Sequence, residues 1–532
     1  MNGLQMICLI LTGWGLWGSP VFAQVEDLGN RVTQEQRFFV QRVEVVGDTV
    51  LEDAVVREIV APLEGREVTL RGLQEATDGI TQLYLDQGYI TTRAVLGDQA
   101  IREGVVRIQV ITRGVSEIVV TGTEGLAGYV RDRLNSALQT PLQINTVQDQ
   151  LRLLRRNPLI QQINATLRTG EDPRRLILAV EVEEAKRLQG QTYIDNYSPV
   201  SVGSERLGVD LSYGNLAGWG DQLGVSYSRS TTGGSEIWDL NYNVPLNPQE
   251  SSLQLRAVFD QNRVTQEEFQ SLDIRGESQL YEVSFRHPII RTAEEELGVS
   301  LGLSFRDGQT FLFNNIPQPF GIGPEEDGTS RVTVLRLSQD YFKREERGGW
   351  TLRSQFNFGL DWFNSTLNPE PIPDSRFFSW LVQGQRLQRL SENHLLVIQL
   401  DWQFTPNSLL PSEQYVIGGG QSLRGYRQNL RSGDNGVRVT IENRITVNRD
   451  VNNLPTFQFI PFLDLGTVWN HEDNPNTLPE ETFLMNGGLG VFWTPPGGLQ
   501  VRFDYGIPLI EVKDAGENAQ DLGVFFRVLY EF

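Results

Sequence analysis

Cysteine is almost missing from this 532-residue chain, in which Cys8 is the only one. If the first segment is removed on export, neither a disulfide nor a thiol nucleophile remains. Histidine is as scarce. His287, His394 and His471 stand far apart, without metal-ligand spacing, and read more simply as surface, loop or lumen residues than as ligands. There is no phosphate loop and no Gly-x-Ser-x-Gly elbow, so no catalytic site, metal or cofactor is expected. Positive charge is also short: 46 Lys and Arg against 67 Asp and Glu leave a formal charge of -21. That balance argues against a nucleic acid partner, which requires concentrated basic residues. Long apolar runs stop at residue 23, and no later stretch is long enough for a membrane-spanning helix. The apolar fraction of 39% is that of a soluble chain. A membrane β-barrel hides behind such a composition, because only alternate residues of each strand meet lipid.

What is present begins with Met1–Ala23, apolar over Ile7–Leu11 and Gly13–Trp17 and closing on Val21-Phe22-Ala23 before Gln24. The small-residue ending reads as a secretory signal peptide, although the usual early Lys or Arg is missing and an anchoring or buried helix is the alternative. Residues 24–37 form a short tail.

The next third contains one pattern twice. In 38–113, Val43-x-Val45-x-Gly47 alternates as a strand and Leu51–Val60 is a first helix. A second helix starts at the cap Thr69, carries Leu70, Leu73, Ile80, Leu83 and Tyr84 on one face, and ends at Gly88. Ile90–Leu96 and Val105–Ile111 follow as strands. The pattern restarts in 114–185 with Ile118-x-Val120-x-Gly122 and helices near Leu126–Leu138 and Thr146–Arg156. Asn145 with Gln148 suggests a capping box, and Val147, Leu151 and Leu154 share a face. A hairpin closes the copy, Leu159–Leu167 with Leu176–Val182. Within it Gln161, Ile163, Ala165 and Leu167 are either an open edge able to accept an incoming strand or simply a packed strand.

From residue 186 to 532 the chain alternates in segments of about 9 to 15 residues between Gly, Asn, Asp and Pro turns. Leu207, Val209, Leu211 and Tyr213 would face lipid, with Gly208, Asp210, Ser212 and Gly214 facing a watery lumen. The dyad returns in Leu396 to Phe404 and in Leu499 to Gly506. Charges on inward positions, such as Asp401, Arg502 and Asp504, disfavour a sandwich core. Sixteen segments start near 188, 202, 221, 235, 251, 277, 294, 330, 350, 376, 393, 436, 454, 482, 499 and 522, an even number that permits closure. Trp219, Trp238, Trp350, Trp380, Trp469 and Trp493 near strand ends suit interfacial girdles or interior packing equally. The last segment, Leu522 to Phe532, is an alternating apolar row.

One long connection, about 406–435, breaks the rhythm. It contains Leu423-Arg424-Gly425-Tyr426 and Ser432-Gly433-Asp434-Asn435-Gly436, and Phe462-Leu463-Asp464-Leu465-Gly466 lies on a later strand. Loops of this length are usually functional or disordered.

The repeated β-α-α-β-β units resemble POTRA domains, polypeptide-binding modules placed before outer-membrane barrels. The two loop and wall motifs resemble those of the Omp85 superfamily, and Ser-Gly-Asp-Asn-Gly is similar to its two-partner-secretion branch, the TpsB transporters. The fold implied is two α+β POTRA domains followed by a transmembrane antiparallel β-barrel of 16 strands. The resemblance further implies that the loop folds into the lumen and that Arg424 contacts Asp464, with Leu423, Gly425, Tyr426, Phe462 and Gly466 completing a loop-wall lock. Guanidinium and carboxylate form a directed, charge-assisted pair in such a setting; the alternative is a surface turn. Tyr530 and Phe532 resemble the C-terminal signal read by the barrel assembly machinery. A secreted, unfolded TpsA-like protein in the periplasm, outer-membrane lipid and that machinery are the partners implied. An N-terminal plug helix is not expected, since residues 24–37 are too few for both it and a linker. An Omp85-type assembly factor and a passive porin are the competing readings.

Overall fold

The structure, a computed structural model, describes residues 37–47, 50–97, 103–172, 175–313, 315–513 and 516–532. The expected signal peptide, Cys8 and nearly all of the tail lie outside the described residues. The described chain divides into two compact units, one ending at Ala185 and the other beginning at Lys186.

The first unit opens with β1 (Arg37–Val40), β2 (Arg42–Gly47), α1 (Asp53–Val60), β3 (Arg66–Thr69), α2 (Leu70–Asp86), β4 (Thr92–Leu96) and β5 (Val105–Thr112). β5 lies between β2, its parallel neighbour, and β4, its antiparallel one. Val43, Val106 and Ile108 of the sheet bury against Leu73, Ile80 and Tyr84 of α2. Thr69 caps α2 by accepting the Gly72 N–H at 3.1 Å. Leu70 does not join the apolar face: as the first helical residue it stays 48% exposed. The ribbon of β1 with β3 has no counterpart in the sequence reading, because four-residue strands are too short to show a period.

A second set follows: β6 (Val115–Thr121), α3 (Ala127–Asn135), α4 (Ile144–Arg155), β7 (Ile160–Thr169) and β8 (Leu176–Glu184). β8 is central, parallel to β6 and antiparallel to β7, which reproduces the first sheet. The duplicated glycine has one cause in both copies. Gly47 and Gly122 have positive φ and sit so close to the carbonyls of Val110 and Val182 that a side chain would collide. α4 begins two residues earlier than its expected box: Gln143, not Asn145, is the cap and accepts the Thr146 N–H at 2.9 Å. Val147, Leu151 and Leu154 bury as expected.

The second unit is a closed antiparallel barrel. Its first strands are β9 (Leu188–Asp195), β10 (Arg206–Gly214), β11 (Gln222–Ser230), β12 (Ser235–Pro245), β13 (Ser252–Arg263), β14 (Arg275–Arg291) and β15 (Glu295–Leu312). A two-residue ribbon, β16 (Ile316–Pro317), extends β15. Then come β17 (Thr329–Glu345), β18 (Gly348–Leu360), β19 (Phe378–Arg389) and β20 (His394–Phe404). β21 (Tyr415–Ile417) and β22 (Arg431–Gly433) pair with each other inside one connection. β23 (Asn435–Arg449), β24 (Pro455–Trp469), β25 (Phe483–Trp493), β26 (Leu499–Pro508) and β27 (Val524–Glu531) complete the wall, and β27 pairs with β9. Leaving out the three short pieces, sixteen strands close the barrel, as the alternation predicts. The largest departure of a strand start is β10, at 206 rather than 202.

The faces follow the dyad. Leu207, Leu400, Phe404, Phe503 and Tyr505 are exposed on the outside, whereas Val397, Asp401 and Asp504 are buried on the inside. Turns at the end where the barrel starts and finishes are short, 346–347 being the tightest; those at the other end reach the 405–434 connection. Trp350, Trp469 and Trp493 are exposed on strands near their ends, while Trp380 is partly covered by Phe356 and Trp402.

Candidate functional site: the loop inside the barrel

The connection between β20 and β23 turns into the lumen and brings Arg424 to inward-facing residues of three strands. Its guanidinium donates to Asp464 of β24 through Nε at 2.9 Å and Nη2 at 2.7 Å, a bidentate pair. The Arg424 backbone N–H adds a third bond to the same carboxylate at 3.2 Å, and Asn486 of β25 a fourth at 3.1 Å. Nη1 donates to Glu442 of β23 at 2.6 Å and lies 3.6 Å from Asp504 of β26. Phe462 lies under the guanidinium, 3.5 Å from ring centroid to Cζ. Arg424 is 3% and Asp464 0% exposed.

Two more arginines complete the cluster. Arg502 donates to Glu442 at 3.0 Å and to Asp504 at 2.7 Å, and Arg444 to Glu442 at 3.0 Å. Three arginines thus face three carboxylates. Charges removed from water persist only when so paired and hydrogen-bonded.

The other loop residues are shaped to this seat. Leu423 buries with Ile417, Tyr426, Val468 and Leu484, and Gly466 leaves room for it on the wall. Gly425 passes Asn486 so closely that a Cβ would come within 2.6 Å of the Asn486 Cβ. Gly506 opposite has no room for a Cβ beside the Arg424 carbonyl. The Tyr426 hydroxyl lies 2.8 Å and 2.9 Å from the carbonyls of Met485 and Ile510.

At the base of the loop Asp434 is fully buried. It accepts the N–H groups of Leu409 and His471, each at 2.9 Å, and the amides of Gln414 and Asn474 at 3.2 and 2.8 Å. Asn435 accepts the Thr405 N–H at 2.7 Å. The Ser-Gly-Asp-Asn-Gly motif therefore clamps the two ends of the connection and the neighbouring 470–482 segment together.

The family model for the haemolysin secretion/activation protein ShlB/FhaC/HecB matches residues 176–492, more than half of the chain. The chain belongs to this family. A model of the ShlB-type POTRA domain matches residues 38–112. The outer membrane transporter CdiB of Escherichia coli is 24% identical over 520 residues, covering 94% of this chain and 83% of that protein. The heme/hemopexin transporter protein HuxB of Haemophilus influenzae (strain 86-028NP) is 22% identical over 431 residues, 77% of this chain and 72% of that one. Among solved structures, CdiB from Escherichia coli superposes with a TM-score of 0.72 over 96% of this chain and 93% of that one, at 21% identity. As a member of the ShlB/FhaC/HecB family, the chain is an outer-membrane transporter of the TpsB type, with POTRA domains on the periplasmic side. The family is one of transporters that work with a secreted partner, not one of enzymes.

Outside the lumen, the other candidates of the ShlB/FhaC/HecB-type chain lie as follows. β7 is an edge strand, but Ile163, Ala165 and Leu167 are buried in the core of the second module, and only Gln161 is exposed. Their side chains cannot reach a partner, because the alternation that makes a strand also points every second residue into its own core. Any strand addition there is through the backbone, and the Ile163 carbonyl already accepts from Arg155 at 3.2 Å. Tyr530 and Phe532 are exposed on the outer face, and the Phe532 N–H donates to the Gly190 carbonyl at 3.0 Å. Glu442, Arg444 and Asn486 of the lumen cluster escaped the sequence reading. The inward parity of Arg438, Thr440 and Glu442 in β23 is the signal that could have found Glu442.

Proposed function

We propose that this transporter captures an unfolded exported protein on its two periplasmic modules and passes it through the barrel lumen when the Arg424 loop leaves its seat. In this reading residues 1–23 are a signal peptide and 24–37 a short tail. POTRA 1 is 38–113, POTRA 2 is 114–185, and the barrel is 186–532. The open backbone edge of β7 pairs with the incoming chain, which suits a binder that must accept many sequences. Leu423, Arg424, Gly425 and Tyr426 with Phe462, Asp464 and Gly466 form the lock that holds the lumen shut. Tyr530 and Phe532 present the finished strand to the barrel assembly machinery, and the outer apolar band faces outer-membrane lipid.

The observation that carries the reading is the buried Arg424–Asp464 pair, which ties a 30-residue connection to the inner wall. A loop meant for the cell surface has no reason to bring a charged side chain into the barrel and match it to three carboxylates. The test is single-channel conductance of the purified protein in planar bilayers, wild type against Arg424→Ala and Asp464→Ala. A gated pore whose open probability both substitutions raise alike supports the lock. One stable open pore in all three proteins overturns it in favour of a passive channel.

A further inference from the structure

β9 and β27 close the barrel through five residue pairs, from Gln191–Glu531 to Asp195–Arg527, the shortest ladder between full strands of the wall. Past Asp195 the Asn196 N–H still donates to the Phe526 carbonyl at 3.3 Å, and the pairing then continues by a side chain. The Asn196 amide donates to the Val524 carbonyl and accepts the Phe526 N–H, both at 2.9 Å. Gln520, in the connection before β27, is fully buried beside it. Its Nε2 donates to the carbonyls of Asn196 at 2.6 Å and Ser198 at 2.8 Å, and its Oε1 accepts the N–H of Gln428 at 2.9 Å. Gln428 belongs to the lumen loop, four residues beyond Arg424. One side chain thus joins the end of β9, the approach to β27 and the loop.

A second contact is independent of the first. Tyr197, just past β9, and Phe525 of β27 lie across the seam from each other, 6.2 Å between ring centroids. Gly420 of the lumen loop rests on both. A Cβ there would collide with the Tyr197 ring and come within 2.9 Å of Phe525. Arg427 of the loop also donates to Asp521 at 2.6 Å, next to Gln520.

We infer that the lumen loop latches the lateral seam of the barrel, and that Gln520 is the positioning residue that couples the two. Only an amide offers two donors and an acceptor in this arrangement, and any other side chain leaves buried carbonyls or the Gln428 N–H without a partner. When the loop leaves its seat, Gly420 and Gln428 leave the seam with it. The junction is then held by its five pairs and the flanking Gly190–Phe532 and Asn196–Phe526 backbone bonds, the Asn196 amide, the Gln520 bonds to the Asn196 and Ser198 carbonyls and the ion pair of Asp195 with Arg527, and it has lost the loop's hold along this line. The seam, not only the lumen, is therefore gated by the same loop. The inference rests on loop withdrawal as proposed above, but its readout needs no secreted partner and no conductance, so the two can fail separately.

The test is amide hydrogen exchange on the full-length protein in lipid nanodiscs, following 188–198, 524–532 and the loop 418–430. Arg424→Ala is expected to speed exchange in the loop and in both seam segments by about tenfold or more, a local opening rather than global unfolding. Gln520→Glu keeps the acceptor for Gln428 and turns a carboxylate toward the two carbonyls; it is expected to loosen the seam while the loop stays protected. In the double variant the seam exchanges less than the two single accelerations combined, because Arg424→Ala has already withdrawn the loop from Gln520, a non-additivity that a merely structural role would not produce. Seam exchange equal to wild type in Arg424→Ala, with the loop released, overturns the coupling, as does an additive double variant. Should Gln520→Glu fail to assemble, judged by its migration in unheated gels, the Arg424→Ala comparison decides alone.

Discussion

Glu442→Gln is the most informative single change, because Glu442 holds three arginines at once: Arg424 at 2.6 Å and Arg444 and Arg502 at 3.0 Å each. The substitution keeps size and one acceptor but leaves three guanidiniums facing two carboxylates. Breaking a buried ion cluster by removing one partner costs about 3 to 5 kcal/mol. Arg502 and Arg444 retain partial access to water, so the lower end, discounted to about 2 kcal/mol, is the appropriate figure. If that cost is relieved when the loop leaves, the population of released loop rises about thirtyfold. Single-channel recording reads this as a matching rise in open probability. Adding Arg502→Gln restores the balance of charge, and Glu442→Gln/Arg502→Gln is expected to recover most of the wild-type closure. An unchanged open probability in Glu442→Gln, or a double variant that gates as loosely as the single one, would show that charge balance is not what seats the loop.

Gly425→Val cannot pass Asn486 and is expected to release the loop as Arg424→Ala does, with the same rise in open probability; normal gating would mean that the wall yields. Asp434→Ala strands the buried Leu409 N–H at about 1 to 3 kcal/mol and leaves the half-buried His471 N–H without its acceptor. It should let a protease cut 405–434 in intact cells, where the wild type resists. Phe532→Ala removes the ring packed on Gly190 and is expected to lower the yield of assembled barrel several-fold in unheated gels; an equal yield would rule out its role as a signal.

The barrel was legible because one property repeats: outward residues are apolar and inward ones are not, so each strand announces itself. The modules were legible from the repeated strand-glycine pair, whose cause proved to be a carbonyl that leaves no room for Cβ. The lumen cluster was legible only in part. Arg424 and Asp464 lie in motifs, whereas Glu442, Arg444 and Asn486 join them through the register of β23, β24 and β25, and register between distant strands leaves no local trace in sequence. The Gln143 cap was missed because glutamine is a poor predictor of helix starts. Gln520 carries no motif, and its importance comes from lying between segments 324 residues apart in the chain.

The wall of the barrel is uneven in height, and the membrane must answer to it. β14 has 17 residues and β15 has 18, while β9 and β27 have 8 each. At about 3.4 Å per residue and a tilt of about 40°, the tall side rises about 44 Å and the seam side about 21 Å. An apolar band of about 25 Å is covered in full by the first and not by the second. A bilayer fitted to these heights would have to thin beside the seam, and hydrophobic mismatch would be concentrated at one line of the circumference. Such a bilayer would be thinnest where the closing ladder is shortest, so lipid composition and thickness would act on this transporter from one direction.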